Sequence, residues 1–265
     1  MFSTKVALET LGKSIAPRSR DRKPTFSILV PAYREEEHIE ETLRGIVVAF
    51  REGNLSFEIV VVVDAVSGDH TALHVRRACE EFSEIRVFER KGRRGVGDAI
   101  KAGTAQAYGE IVIPVMGDCS ELPFDIVRLA RTAKKFDVVF ANRFKSGRPA
   151  GYPPTKYIAN RLCNFAIRVL LGIPYCDTTN AFKAYRREIL TRIDLSSKGF
   201  EIFLEMPVKA MMHASSTTEI QVVHIVRKKK APKLSLVRDG QRYIRLLLSL
   251  IKVSADHQRR QIRPS

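Results

Sequence analysis

Apolar residues fall in short, nearly unbroken runs separated by longer stretches with helical spacing. The runs FSILVP (26–31), FEIVVVVD (57–64), IRVFE (85–89), EIVIPVM (110–116) and FDVVFAN (136–142) are rich in Val, Ile and Phe. Such residues suit pleated strands, and runs without polar alternation imply a sheet covered on both faces. Between them, 37–51, 69–82, 94–107 and 123–134 read as helices. Strand–helix alternation predicts an α/β fold whose sheet is mostly parallel. Ligands of such sheets gather at the carboxyl ends of the strands, which places 31–36, Asp64 and Asp118 on one rim. The second half changes character: a helix over 155–171, a turn through GIPYCDTTN, a helix over 200–214, and a strand-like TEIQVVHIV (218–226).

With 265 residues the chain is long enough for one large α/β domain or two small ones. Four scattered cysteines form no CxxC pair and sit near no histidine cluster in sequence, which argues against a zinc site or a disulfide framework and suits a reducing compartment. The first 24 residues lack the apolar core of a secretory signal, and no run approaches the ~20 apolar residues of a membrane span. The net charge of +16 is uneven: residues 227–265 hold twelve basic and two acidic side chains, and 1–24 hold six and two. The expected organisation is a basic leader (1–24), a folded body (25–233) and a basic amphipathic helix with tail (234–265). Cationic ends on a near-neutral body suit a polyanionic surface, nucleic acid or anionic membrane. In LSLVRDGQRYIRLLLSLIK (234–252), Arg238, Arg242, Arg245 and Lys252 gather near one helical face. That pattern fits an interfacial helix, or a helix packed on the body with its arginines outward. The tail lacks the interleaved aromatics of a base-stacking platform, so nucleic acid is the weaker partner.

Four turns carry candidate chemistry. In PAYREE (31–36), Pro31 and Ala32 end a strand, Tyr33 offers an aromatic face and Glu35 a carboxylate for a nucleoside; the plainer reading is a strand-to-helix turn with acids at a helix start. In VVVDAVSGDHT (61–71), Asp64 can accept from a base or ribose, while Ser67 or Asp69 can cap the next helix. RKGRRGVGDAIKAG (90–103) sets four glycines among five basic residues, a loop suited to a diphosphate, although its glycines, Gly95 included, lack dinucleotide-fingerprint spacing. A fourth turn, IPVMGDCSELP (113–123), leaves Asp118 either to hold a metal ion or to start a helix before Pro123. The six histidines read as surface or structural residues.

This ordered set resembles the family 2 glycosyltransferases, and within them the dolichol- and polyprenyl-phosphate mannosyltransferase group. That family's PAYNE-type, VDD-type, Gly-rich and DxD motifs are matched by Pro31-Ala32-Tyr33-Arg34-Glu35, Val63-Asp64-Ala65, residues 92–97 and Met116-Gly117-Asp118. The likeness continues through NRFKSG (Arg143), KYIANRLCN (Lys156, Asn160, Asn164), DTTNAFKAYRRE (Asp177) and RKKKAPKL (Arg227, Lys233, Leu234). It implies a Rossmann-like nucleotide-diphospho-sugar transferase fold, with helices on both faces of the sheet. It further implies an inverting transfer of a sugar from a nucleotide-diphosphate donor to a polyprenyl phosphate, at the cytoplasmic face of a membrane. By this likeness Pro31, Ala32, Tyr33, Glu35, Asp64, Gly95 and Asp118 bind the donor. Asp118, Ser120 and Glu121 hold Mg²⁺ or Mn²⁺. Arg143, Lys156, Asn160, Asp177, Arg227 and Lys233 bind the acceptor, and Asp118, Arg143 and Lys233 serve catalysis. Departures are Met116 for the first DxD acid, Ala65 for the second VDD acid, Lys156 for arginine, Asn160 for serine, and Lys230 and Pro232 for glycine and serine. The alternatives are a weakened nucleotide-sugar or lipid-binding module, or a nucleotidyltransferase; the latter usually carries a Gly-rich loop after its first strand, which PAYREE lacks.

Overall fold

The computed structural model describes residues 23–64, 68–91, 95–226 and 236–262. Among these, seven strands form one sheet: β1 (Phe26–Ala32), β2 (Phe57–Asp64), β3 (Ile85–Arg90), β4 (Ile111–Pro114), β5 (Val138–Asn142), β6 (Lys183–Arg186) and β7 (Thr217–Gln221). Their spatial order is β3-β2-β1-β4-β6-β5-β7. Strands β1 to β4 run parallel, and β7 runs parallel to β5. Only β6 is antiparallel to its neighbours.

The Val/Ile runs become strands because each residue has a core to enter on either side. Along β1, Phe26, Ile28 and Val30 enter a core shared with α1 (Ile39–Glu52), α2 (Thr71–Glu81) and α4 (Pro123–Ala133). Leu29 points the other way, into a core shared with α3 (Val96–Gln106), α6 (Arg187–Arg192) and α7 (Ile202–Met211). The expected helices on both faces are therefore present.

In the second half the helices expected over 155–171 and 200–214 form at Pro154–Leu171 and Ile202–Met211, while other elements differ from expectation. Strand β6 and helix α6 occupy 183–192, between the expected turn and the expected helix, where no element was read. The last strand stops at Gln221, beyond which an isolated bridge joins His224 to Glu121. Helices α5 (Pro154–Leu171) and α8 (Leu236–Ile262) pack on each other, and α8 also packs on α7. Ile167, Ile173, Leu204, Val208 and Leu250 form that third core. Helix α8 thus rests on the body, and Ile244 and Leu248 remain exposed on it. No described helix is long and apolar enough to cross a membrane.

Candidate active site at the carboxyl rim

The parallel strands β1, β2 and β4 end on one edge and deliver PAYREE, Asp64 and MGD side by side. After β1 the chain turns sharply. Arg34 takes a left-handed φ of 56°, unusual for a residue with a side chain, and its guanidinium lies 5.4 Å over the Tyr33 ring. Glu35 is buried; its N–H donates to the Thr71 hydroxyl at 2.8 Å, and its carbonyl accepts from His38 and Ile39 to open α1. Asp64, also buried, forms an ion pair with Arg90, whose Nη2 donates as well to the Gly95 carbonyl at 3.2 Å. Arg90 keeps Nε and Nη1 buried without a hydrogen-bond partner.

Gly95 has a physical requirement of its own. Its φ is +86°, and a β-carbon there would overlap the Lys198 carbonyl oxygen. At Gly97 a β-carbon would sit 2.6 Å from the Ser197 carbonyl, and the Gly97 N–H donates to Lys198 at 2.9 Å. These glycines admit the 197–199 backbone against the start of α3. Ala65 and Gly92 lie outside the described residues.

Asp118 does not cap a helix. Helix α4 starts after Leu122 with Pro123 at its first position and no side-chain cap. Instead Asp118 Oδ1 accepts from Ser120 N–H at 3.1 Å across Cys119, which takes a left-handed φ of 56°. Glu121 Oε2 accepts from the Ser120 hydroxyl at 3.0 Å and from Met116 N–H at 3.3 Å. Burial, and then the charge of Asp118, push the Glu121 carboxyl up to about 8.

The structure brings His224 into this group, a residue that the sequence reading placed among surface or structural histidines. It bridges Glu121, and its ring meets Tyr152 edge-on at 6.0 Å. Burial, followed by the charge of Arg143, draws His224 down to about 4, so its imidazole is neutral at physiological pH. Two carboxyl groups and a neutral imidazole are a donor set suited to a divalent cation, and the acid-raising environment of Glu121 is one that a cation would relieve. Among the described residues these three donors do not close into a cage. The trio whose ligand atoms lie within 4.8 Å of one another is His38, Glu41 and Cys119, beneath the rim. Cys119 thus meets a histidine that is 81 positions away in sequence, although its thiol contacts the Thr42 hydroxyl at 3.0 Å and the His38 carbonyl at 3.5 Å. The open donor set at the rim fits a cation that keeps waters and shares a ligand's phosphates.

Across the site, Arg143 follows β5. Its Nε and Nη2 donate to the two oxygens of Asp177, each at 2.8 Å, and its backbone N–H adds a third bond at 3.0 Å. Burial works against the Arg143 charge, but the Asp177 carboxylate outweighs it and raises the guanidinium above its usual value. Asp177 is enclosed and serves to hold Arg143. Asn160 and Asn164 reach the same loop: both donate to the Thr179 hydroxyl, at 3.3 and 3.1 Å, and Thr179 N–H donates back to Asn164. Lys156 is exposed on the first turn of α5. Below Asp177 lies Lys183, wholly buried, its ammonium donating to the Asn180 carbonyl and facing the Phe140 ring. Burial pulls Lys183 down to about 7, Asp177 resisting and Arg143 assisting. Arg227 and Lys233 lie outside the described residues.

A family model, glycosyl transferase family 2, matches residues 27–194. The chain belongs to glycosyl transferase family 2. Among its relatives is the undecaprenyl-phosphate 4-deoxy-4-formamido-L-arabinose transferase of Pseudomonas fluorescens (strain Pf0-1), 32% identical over 229 residues, which are 85% of this chain and 63% of that protein. The protein so named in Pseudomonas aeruginosa (strain LESB58) is 32% identical over 214 residues, 80% of this chain and 61% of that one. This family 2 chain therefore spans about three-fifths of the length of these relatives. Its fold is shared with glucosyl-3-phosphoglycerate synthase from Mycobacterium tuberculosis, solved in complex with uridine diphosphate (TM-score 0.66, 21% identity, 86% of this chain and 80% of that one). The same protein solved with Mn²⁺, UDP-glucose and phosphoglyceric acid gives a TM-score of 0.67 at 21% identity and the same coverage.

Proposed function

We propose that this rim transfers a glycosyl group, with inversion, from a nucleoside-diphosphate donor to a polyprenyl phosphate at a membrane surface. One observation carries the reading. A half-buried, carboxylate-held cation, Arg143, stands within electrostatic reach of Glu121 and His224, the side chains that flank Asp118. Acid groups suited to a metal–diphosphate and a guanidinium suited to a second phosphate thus act on one another at the same rim. The relatives named for transfer to undecaprenyl phosphate, and the fold neighbour solved with uridine diphosphate and Mn²⁺, support the same pairing of donor, metal and acceptor.

The chemistry follows from these groups. A lipid phosphate has its second pKa at about 6 and is mostly dianionic near neutrality, so it attacks the anomeric carbon without a general base. The bond from that carbon to the donor diphosphate breaks, and the nucleoside diphosphate leaves with the electron pair. Asp118, with Glu121 and the neutral His224, would hold a divalent cation, Mg²⁺ or Mn²⁺, which supplies positive charge to the departing diphosphate. Arg143 attracts and orients the acceptor phosphate, and its bidentate tie to Asp177 fixes the fork before the acceptor arrives. Tyr33, Glu35 and the edge around Asp64 form the nucleoside side. Lys156 adds a cation on the acceptor side, a role that the family likeness alone extends to Arg227 and Lys233, and Asn160 and Asn164 brace the Asp177 loop.

The test is a panel of nucleotide sugars with a short-chain polyprenyl phosphate and either cation, read as release of nucleoside diphosphate and formation of the glycosyl lipid. Transfer from one donor, dependent on metal, is expected. Metal-dependent donor binding without transfer would instead identify a binding module, and failure to bind any donor would reject the reading.

A further inference from the structure

Helix α5 has its polarity reversed. Of its eighteen residues, the fully buried ones are Asn164 and Ile167. Its large apolar side chains face outward: Ile158 is 57% exposed, Leu162 65%, Phe165 64% and Val169 66%. At 3.6 residues per turn these four positions, spaced i, i+4, i+7 and i+11, form one narrow stripe, opposite the face that carries Asn164 and Ile167. An exposed apolar stripe on a helix marks an interaction surface.

We infer that the outer face of α5 inserts into the apolar boundary of an anionic lipid bilayer. This inference rests on the proposed transfer to a lipid phosphate and names the partner that presents that acceptor. Charge selects the occupant. Residues 138–176 contain six basic side chains and no acidic one, and Arg161 and Arg168 border the stripe. A second copy of the chain would bring two such cationic segments together, whereas an anionic headgroup layer complements them. The two faces of α5 then have separate tasks. Its inner face braces the Asp177–Arg143 pair through Asn160, Asn164 and Thr179, and its outer face meets the lipid, so the acceptor side of the site sits at the membrane surface.

The experiment compares the intact protein with the double variant Leu162→Gln/Phe165→Gln. Binding is measured by flotation on vesicles of phosphatidylcholine mixed with phosphatidylglycerol at physiological salt. Sedimentation velocity and donor-induced thermal stabilisation are measured beside it. Loss of vesicle binding by about tenfold or more is expected, with donor stabilisation and sedimentation unchanged. Equal binding by the variant overturns the inference, as does failure of the intact chain to float. So does a self-associated wild type that the double variant dissociates, because a second copy would then cover the stripe. Transfer to a water-soluble short-chain lipid phosphate without vesicles separates the two readings. If it proceeds while flotation fails, the docking falls and the transferase stands; flotation without transfer to any lipid phosphate gives the reverse.

Discussion

At the scale of single residues, the site rests on groups whose charge is set by burial and by one neighbour. Asp118→Asn keeps the Oδ1 that accepts from Ser120, so the turn survives while the charge is lost. Metal-dependent donor binding should weaken by about tenfold or more, read by calorimetry with and without Mn²⁺. Binding as tight as wild type would leave Asp118 a turn-forming residue only. Glu121→Gln should do less harm. Asp177→Asn breaks a buried bidentate pair, a change that typically costs about 3–5 kcal/mol. The expected outcome is a lowered urea midpoint together with a raised KM for the acceptor, while donor affinity holds. Equal losses for donor and acceptor would refute the assignment of Arg143 to the acceptor. Lys183 gives a pH signature. Its pKa falls from 10.5 in the unfolded chain to about 7 when folded, so the unfolded state binds more protons between those values and stability rises with pH across that window. This contribution is fully present above 10.5 and is lost as pH falls through about 7. Lys183→Met removes it, so the variant should gain on wild type as pH falls from 10 to 7, at up to about 1.4 kcal/mol per unit. Parallel stability–pH curves for the two proteins would show that Lys183 does not titrate in this way.

At the scale of elements, Gly95 shows how one backbone position ties two segments together. Gly95→Ala combines a positive φ with overlap on the Lys198 carbonyl, and should cost on the order of 1–3 kcal/mol in chemical unfolding. An unchanged midpoint would mean that the 197–199 backbone yields freely. The same loop marks the limit of what the sequence discloses. The first five strands were legible because buried Val and Ile runs admit few other conformations. The Asp118 turn was legible because its strand had to end there. Strand β6 was hidden: it is four residues long, and it opens on a lysine that only tertiary burial makes strand-like. The partnership of Arg143 with Asp177 spans 34 positions, and that of Glu121 with His224 crosses from β4's end to the segment after β7. Neither has a local periodicity to reveal it. His224 sits in QVVHIV, a run whose alternation says strand and nothing about which acid the strand will meet. The glycines of 90–103 were visible, but their contact with 197–199 was not, since that requires α7 to be folded onto α3.

At the scale of the whole molecule, charge and apolar surface are distributed so that, under the proposed docking, two separable forces would act at a lipid surface. The chain carries +16, with the strongest excess in 227–265, while the exposed stripe of α5 is uncharged. Removing the C-terminal segment would not isolate the electrostatic part, because Leu250 of α8 closes the core formed with Ile167, Leu204 and Val208. Arg245 and Lys252 are exposed on α8 and can be changed without opening that core. Each basic side chain near an anionic leaflet is worth about 1 kcal/mol, so Arg245→Gln/Lys252→Gln should weaken vesicle binding by roughly tenfold or more at low salt. Raising the ionic strength shortens the Debye length to a few ångströms and should close the gap between variant and wild type. The apolar contribution of α5 is not screened, so residual binding of both proteins should persist at high salt and vanish only when Leu162 and Phe165 are replaced. Flotation of the wild type, the charge variant and the α5 variant across a salt series resolves the two forces. A gap from the charge variant that stays constant with salt would mean that Arg245 and Lys252 act through packing. No gap at low salt would place the electrostatic attraction elsewhere on the chain.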